Sequence, residues 1–164
     1  AIAFKSVVTS GKEIKPIQKY RGAQAFEDLR LKTERSGRIP KVFLLTYGDV
    51  NMRKARAGFA SGFFACAGFD IIDNIGFETM DMGIAAALEA KADITVLCSS
   101  DQEYEGMAKE AATKAGDKTI LVVAGYPKSE LEDIKKAGIE HFIHIRSNVL
   151  EELIKFQQLL GIRK

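Results

Sequence analysis

The chain has 164 residues, 46% of them hydrophobic and 28% charged, with 24 Lys and Arg against 22 Asp and Glu for a formal net charge of +2. That is the length of about one domain, too apolar for general disorder and too evenly charged for whole-chain attraction to nucleic acid or to an anionic membrane. No apolar run approaches the ~20 residues of a membrane helix, so neither nucleic acid nor membrane is expected as a partner. The two cysteines, Cys66 and Cys98, fall inside apolar runs. They read as buried small hydrophobes of a protein in a reducing cytosol rather than as a disulfide.

Residues 1–38 differ from the rest of the chain. They hold Gly11, Pro16, Gly22 and a dense set of charges, among them Lys5, Lys12, Glu13, Lys15, Lys19 and Arg21. Only 23–35 has a helical pattern, with Ala25, Phe26, Leu29 and Thr33 on one face. Such a segment cannot form a core alone. It either wraps the adjoining domain or links it to another. Ser36-Gly37-Arg38-Ile39-Pro40 is a break, because a proline disfavours helix at the residue before it.

From Lys41 the pattern is regular. Val42–Thr46 is an apolar run of strand length, and a helix comes next over about 51–67, with Met52, Phe59, Phe63 and Cys66 near one face. Strands are predicted at 69–72, 93–98, 119–123 and 141–143. Helices are predicted at 82–91, from Ser100 to about Ala115, from Ser129 to Gly138, and from Val149 to Gly161. Ser100-Asp-Gln-Glu103 and Ser129-Glu-Leu-Glu132 match capping boxes, in which the serine hydroxyl receives a free N–H of the first turn. The inner strands are continuously apolar, as in a parallel sheet covered on both faces. Five strands alternating with helices predict an α/β, flavodoxin-like (Rossmann-like), doubly wound sheet of order 2-1-3-4-5.

Ligands of such sheets bind beyond the carboxyl ends of the strands. The first of those loops, Tyr47-Gly48-Asp49-Val50-Asn51-Met52-Arg53-Lys54, lacks the glycine pattern of a P-loop or of a dinucleotide fingerprint. A receiver domain would need an aspartate where Cys98-Ser99-Ser100 ends the third strand. Asp101 reads instead as a first-turn charge that suits the helix dipole. Arg53, Lys54 and Arg56 stand at the helix end that disfavours cations, either as a solvated surface or as a basic patch for an acidic partner or a phosphate. His141 and His144 are three apart in an extended segment and point to opposite faces, against a shared metal site. No His, Cys or carboxylate spacing suits zinc, and no catalytic set is visible.

Four stretches in order resemble the methylmalonyl-CoA mutase family. Arg21–Arg30 (RGAQAFEDLR) resembles the segment that leaves its barrel domain. Arg38–Leu44 (RIPKVFL) resembles the entry to its cobalamin-binding-type domain. Gly58-Phe59, Ala67-Gly68-Phe69-Asp70 and Glu78-Thr79 come after it, and then Asp93–Ser100, whose Leu-Cys-Ser-Ser is similar to the third strand of the family's small subunit. The resemblance implies a TIM barrel that binds acyl-CoA, with a flavodoxin-like domain clamping adenosylcobalamin against it. The implied reaction is a radical interconversion of methylmalonyl-CoA and succinyl-CoA, in a heterodimer of a large catalytic and a small non-catalytic chain.

One departure from that pattern carries weight. Cobalamin-binding members have Asp-x-His-x-x-Gly after the first strand, with the His as lower cobalt ligand. Here Asp49 is kept, Asn51 stands for the His, and Lys54 for the Gly. An amide is a poor substitute for imidazole on cobalt. Ser99 or Ser100 matches the family's serine near the nucleotide tail, and Ala124-Gly125 half matches its glycine pair. The implied cofactor groove is therefore Asp49, Asn51, Ser99, Ser100 and Gly125 in degenerate form, with Phe63, Phe64 or Tyr126 as candidate fillers. No catalytic and no metal-ligating residue is expected. The expectations are a non-catalytic small-subunit domain over 39–164, residues 1–38 as the link from an absent barrel, and adenosylcobalamin in the large partner chain. The start at Ala1 rather than Met fits a cut chain. A cobalamin binder without a His ligand, and an unrelated flavodoxin-like interaction module, are the alternatives.

Overall fold

Alternate residues of strand β1 (Lys41–Thr46) face two different cores. Val42 and Leu44 point to one, Phe43 and Leu45 to the other, and all four are buried. Only a strand covered on both faces needs that pattern. The computed structural model describes residues 19–162, with side chains from 23 onward. Its order is α1 (Lys19–Arg35), β1, α2 (Val50–Ala65), β2 (Asp70–Ile72), α3 (Met80–Glu89), β3 (Ile94–Cys98), a 3-10 turn (Asp101–Glu103), α4 (Tyr104–Ala115), β4 (Ile120–Ala124), α5 (Leu131–Ala137), β5 (His141–Ile143) and α6 (Val149–Leu159). The strands are all parallel and lie in the order β2-β1-β3-β4-β5. The predicted doubly wound fold is the observed one. Gly11 and Pro16 lie outside the described residues.

Helices α1, α2 and α6 cover one face, where Phe64, Phe69 and Phe156 pack around Leu44, Val96 and Val122. Helices α3, α4 and α5 cover the other, where Met107, Tyr104 and Ile134 meet Leu45, Leu97 and Val123. Each of these large apolar side chains contributes roughly 1.5–3 kcal/mol on burial. None of the described helices is long and apolar enough to cross a membrane.

Helix starts differ from expectation in an instructive way. The caps that form are Asp49, Thr79 and Asn148, each accepting an N–H three residues on. Ser100 makes no side-chain cap bond, and the chain there winds into a 3-10 turn before α4. Helix α5 opens at Leu131 behind an uncapped Glu130, so the Ser129 box does not form either. On α2 the inward face is Ala57, Ala60, Phe63 and Phe64. Met52 and Cys66, expected on that face, are exposed. Two alanines, which let the helix lie close to the sheet, and two phenylalanines set the inward face in place of Met52 and Cys66. Cys98 is buried as expected, and burial pushes its thiol pKa far up.

Helix α1 is tied to α6 by a buried amide. Gln157 Nε2 donates to the Leu29 carbonyl at 2.8 Å and to Thr33 Oγ1 at 2.9 Å. Gln157→Ala should therefore destabilise the protein by about 1–3 kcal/mol. Urea denaturation would measure that loss, and amide exchange should rise first in residues 26–35. His141, half-buried in β5 beside Phe156 (5.4 Å between rings), has its pKa lowered from 6.5 chiefly by burial, with Lys155 adding and Glu140 opposing. The unfolded chain thus binds the proton more readily. Stability falls as pH drops through about 6.5 and below. Denaturation midpoints at pH 7.5 and 5 should differ less for His141→Gln than for the parent chain.

Candidate functional site

Strand order reverses between β1 and β3, and the crevice at a doubly wound sheet's carboxyl edge opens at that point. One strand over, between the ends of β3 and β4, two side chains from opposite faces meet. Tyr104, the first residue of α4, is buried and sends its hydroxyl between β3 and β4. That hydroxyl donates to the Ala124 carbonyl at 2.5 Å and accepts the Ser99 N–H at 3.0 Å. Burial raises the phenol pKa, so the phenol stays a donor. From the other face Arg56 of α2 donates to the same Ala124 carbonyl at 2.7 Å and to Asp101 at 2.9 Å, its guanidinium lying 5.9 Å from the Tyr104 ring centre. Asp101 thus serves an ion pair rather than a helix end alone.

Gly125 exists for this contact. Its φ is +140°, and a Cβ there would collide with Arg56 Nη1. A non-glycine residue would meet both backbone strain and a filled space. Arg53 repeats the arrangement one loop over. It donates to the carbonyls of Gly48 (3.2 Å) and Ile75 (3.3 Å), and a Cβ on Gly76 would lie 2.6 Å from its Cζ. The loop after β2 is also held by Asn74, whose amide donates to the Leu44 carbonyl and whose Oδ1 receives the Gly76 N–H at 3.0 Å and the Thr46 hydroxyl. Arg53 and Arg56 are therefore internal ties between loops and not a solvated surface. Lys54 alone of the three is exposed.

The expected site residues are brought to this edge but not into one cradle. Asp49 is committed to capping, its Oδ1 receiving the Met52 N–H at 2.9 Å. Asn51 is exposed in the first turn of α2, with no side-chain hydrogen bond among the described residues. Ser99 is fully buried, and its Oγ has no partner; a Cβ on Gly48 would come within 2.7 Å of it. Ser100 is half-buried, its carbonyl receiving the Glu103 N–H. Phe63 and Phe64 lie in the core and do not fill the groove. Tyr104 and Arg56 do that, and neither is among the expected fillers. A tyrosine in a first turn just past strand β3 was the available signal.

An open trough of about 790 Å3 borders this meeting point directly: Arg56, Asp101 and Gly125 form one end of it, Phe59 and Ile143 its floor, and Tyr126, Lys128 and Arg146 its walls. His144 lies against Tyr126, ring centres 5.0 Å apart and planes tilted by 42°, and receives the Arg146 N–H on Nδ1. It lies apart from His141. Among the described residues, no three His, Cys, Asp or Glu side chains group as a metal site would require.

No protein-family model matches the chain. Solved structures share the fold. A CheY-like receiver domain from Methanospirillum hungatei has a TM-score of 0.52 at 15% identity, over 76% of this chain and 95% of its own. A cobalamin-binding protein from Desulfitobacterium hafniense has 0.50 at 15% identity, over 83% of this chain and 69% of its own. The receiver likeness stops at the fold, since Cys98-Ser99-Ser100 stands where the phosphoacceptor aspartate is needed. Sequence relatives say more. The methylmalonyl-CoA mutase small subunit of Porphyromonas gingivalis is 49% identical over 152 residues, 93% of this chain and 24% of that protein. That of Propionibacterium freudenreichii is 27% identical over 171 residues, 99% of this chain and 27% of its own length. The chain spans about a quarter of these relatives, and on this likeness it belongs to the methylmalonyl-CoA mutase small-subunit family.

Proposed function

We propose that the chain is a structural domain of a methylmalonyl-CoA mutase small subunit, one that keeps the flavodoxin-like fold and has lost its corrinoid. In this reading residues 39–164 are the domain, residues 1–38 connect it to a barrel, and the large partner subunit holds adenosylcobalamin and isomerises methylmalonyl-CoA and succinyl-CoA. The observation that carries the reading is the filled gap between the ends of β3 and β4, at the Ala124 carbonyl. A cofactor tail entering beside Ser99 and Gly125 would have to displace the Tyr104 phenol and the Arg56 guanidinium. That would leave the Ala124 carbonyl and the Ser99 N–H unpaired, at roughly 1–3 kcal/mol for each buried group. The residues therefore do not fit the group. Asn51, exposed where the family's cobalt-ligating His would stand, supports the same conclusion.

Titration of the protein with hydroxocobalamin, followed by gel filtration, tests this reading. The corrin spectrum should not shift, and no corrin should co-elute. Stoichiometric co-elution would favour a binder that works without a His ligand. The double variant Asn51→His, Lys54→Gly should also leave the spectrum unchanged, because it restores the ligand but not the space. A shift from that pair alone would mean that the gap opens readily in solution.

A further inference from the structure

The trough beside Gly125 has walls that are fixed in place. The Gly125 N–H donates to the Ile143 carbonyl at 2.7 Å and so joins the loops after β4 and β5. Tyr126 stands edge-on to Phe142, ring centres 5.9 Å apart and planes at 76°, and also meets His144. The loop after β5 is closed on itself. Ser147 Oγ receives the His144 N–H at 3.0 Å, and the Ser147 N–H reaches the His144 carbonyl at 2.9 Å. Tyr126, His144 and Arg146 are therefore carried on loops tied down before any ligand arrives, which lowers the ordering cost of binding.

Three kinds of chemistry line this one space. Phe59, Ile143 and the Tyr126 ring give flat apolar surface, on which an aromatic ring stacks. Lys128 and Arg146 are exposed cations, and neither is ion-paired among the described residues. Cationic donors of this kind suit phosphate oxygens. His144 accepts on Nδ1, so its remaining donor is Nε2–H. At the end of the trough, Asp101 gives Oδ1 to Arg56, while its Oδ2 has no partner among the described residues. A carboxylate so placed accepts from sugar hydroxyls, as the acidic residue of a dinucleotide site does. Ring, hydroxylated sugar and phosphate are the three parts of one ligand class. The volume of about 790 Å3 falls within the roughly 300–1,000 Å3 of small-molecule sites and far exceeds what a bare phosphate needs. A ligand lying here leaves the Tyr104 and Arg56 bonds to the Ala124 carbonyl intact, unlike a corrinoid tail entering between β3 and β4.

We propose that this trough binds a nucleoside 5′-diphosphate, its ring on Phe59 and Tyr126, its sugar toward Asp101 and its phosphates on Lys128 and Arg146. Free ADP and the ADP end of coenzyme A share this chemistry. The inference stands on the trough alone and does not depend on the small-subunit reading. Isothermal titration of the protein with ADP, and separately with coenzyme A, both in EDTA, tests it and tells the two sources apart. One of them should bind one-to-one and shift the amide resonances of residues 125–128 and 144–147. Lys128→Ala and Arg146→Ala should each weaken that binding by about tenfold, as loss of a hydrogen bond to a charged group does. Tyr126→Ala should weaken it as well, while Tyr126→Phe, which keeps the ring, and Lys136→Ala, on the exposed side of α5, should not. Pyrophosphate, which has neither ring nor sugar, should bind about tenfold more weakly. No binding of either nucleotide up to millimolar concentration would overturn the proposal. So would pyrophosphate binding as tightly as the nucleotide, affinity unchanged in both Lys128→Ala and Arg146→Ala, or displacement of the nucleotide by hydroxocobalamin.

Discussion

A single carbonyl holds the carboxyl edge together. Ala124 O, at the end of β4, receives a phenol from one face of the sheet and a guanidinium from the other. Neither donor works without the other's position: Tyr104 occupies the space between strands, and Arg56 lies across its ring. The glycine after Ala124, the ion pair to Asp101 and the bond from the Ser99 N–H all depend on this meeting point. The two Tyr104 bonds are buried, so breaking either leaves polar groups unsolvated.

The same scaffold elsewhere binds quite different things, and receiver domains share it in outline. What distinguishes members is the set of side chains at the strand ends. In this chain those ends hold two inward-turned arginines and a buried tyrosine in place of an acidic pocket. Arg56 is paired with Asp101, and both arginines donate to backbone carbonyls.

The fold was readable because parallel strands covered on both faces must be apolar throughout, and Val42–Thr46, Ile94–Cys98 and Ile120–Ala124 have that property. The strand order came from chirality and number. The two capping boxes failed for local reasons. At Ser100 the inward packing of Tyr104 takes precedence over helix initiation, and the capping-box pattern does not register that tyrosine. Arg56 and Arg53 were not legible as loop ties, because a helix N-terminus repels cations in general. These two reach carbonyls on neighbouring loops, contacts separated by 68 and 22 residues for Ala124 and Ile75. Asn51 was legible at once as the residue in the position where the resemblance expects a His; the place of the Tyr104 hydroxyl between β3 and β4 was not, since it depends on which way a buried phenol points.

The docking of α1 bears on inheritance. Composition changes near residue 38, yet burial does not: Leu29 and Thr33 are buried as Phe156 is, and the Gln157 Nε2 donates only to groups upstream of that change. A gene rearrangement that moved the sheet without this helix would transplant an exposed core and an orphaned amide. The transferable module is thus the sandwich together with its leading helix, and shuffling events are expected to keep the two in one piece.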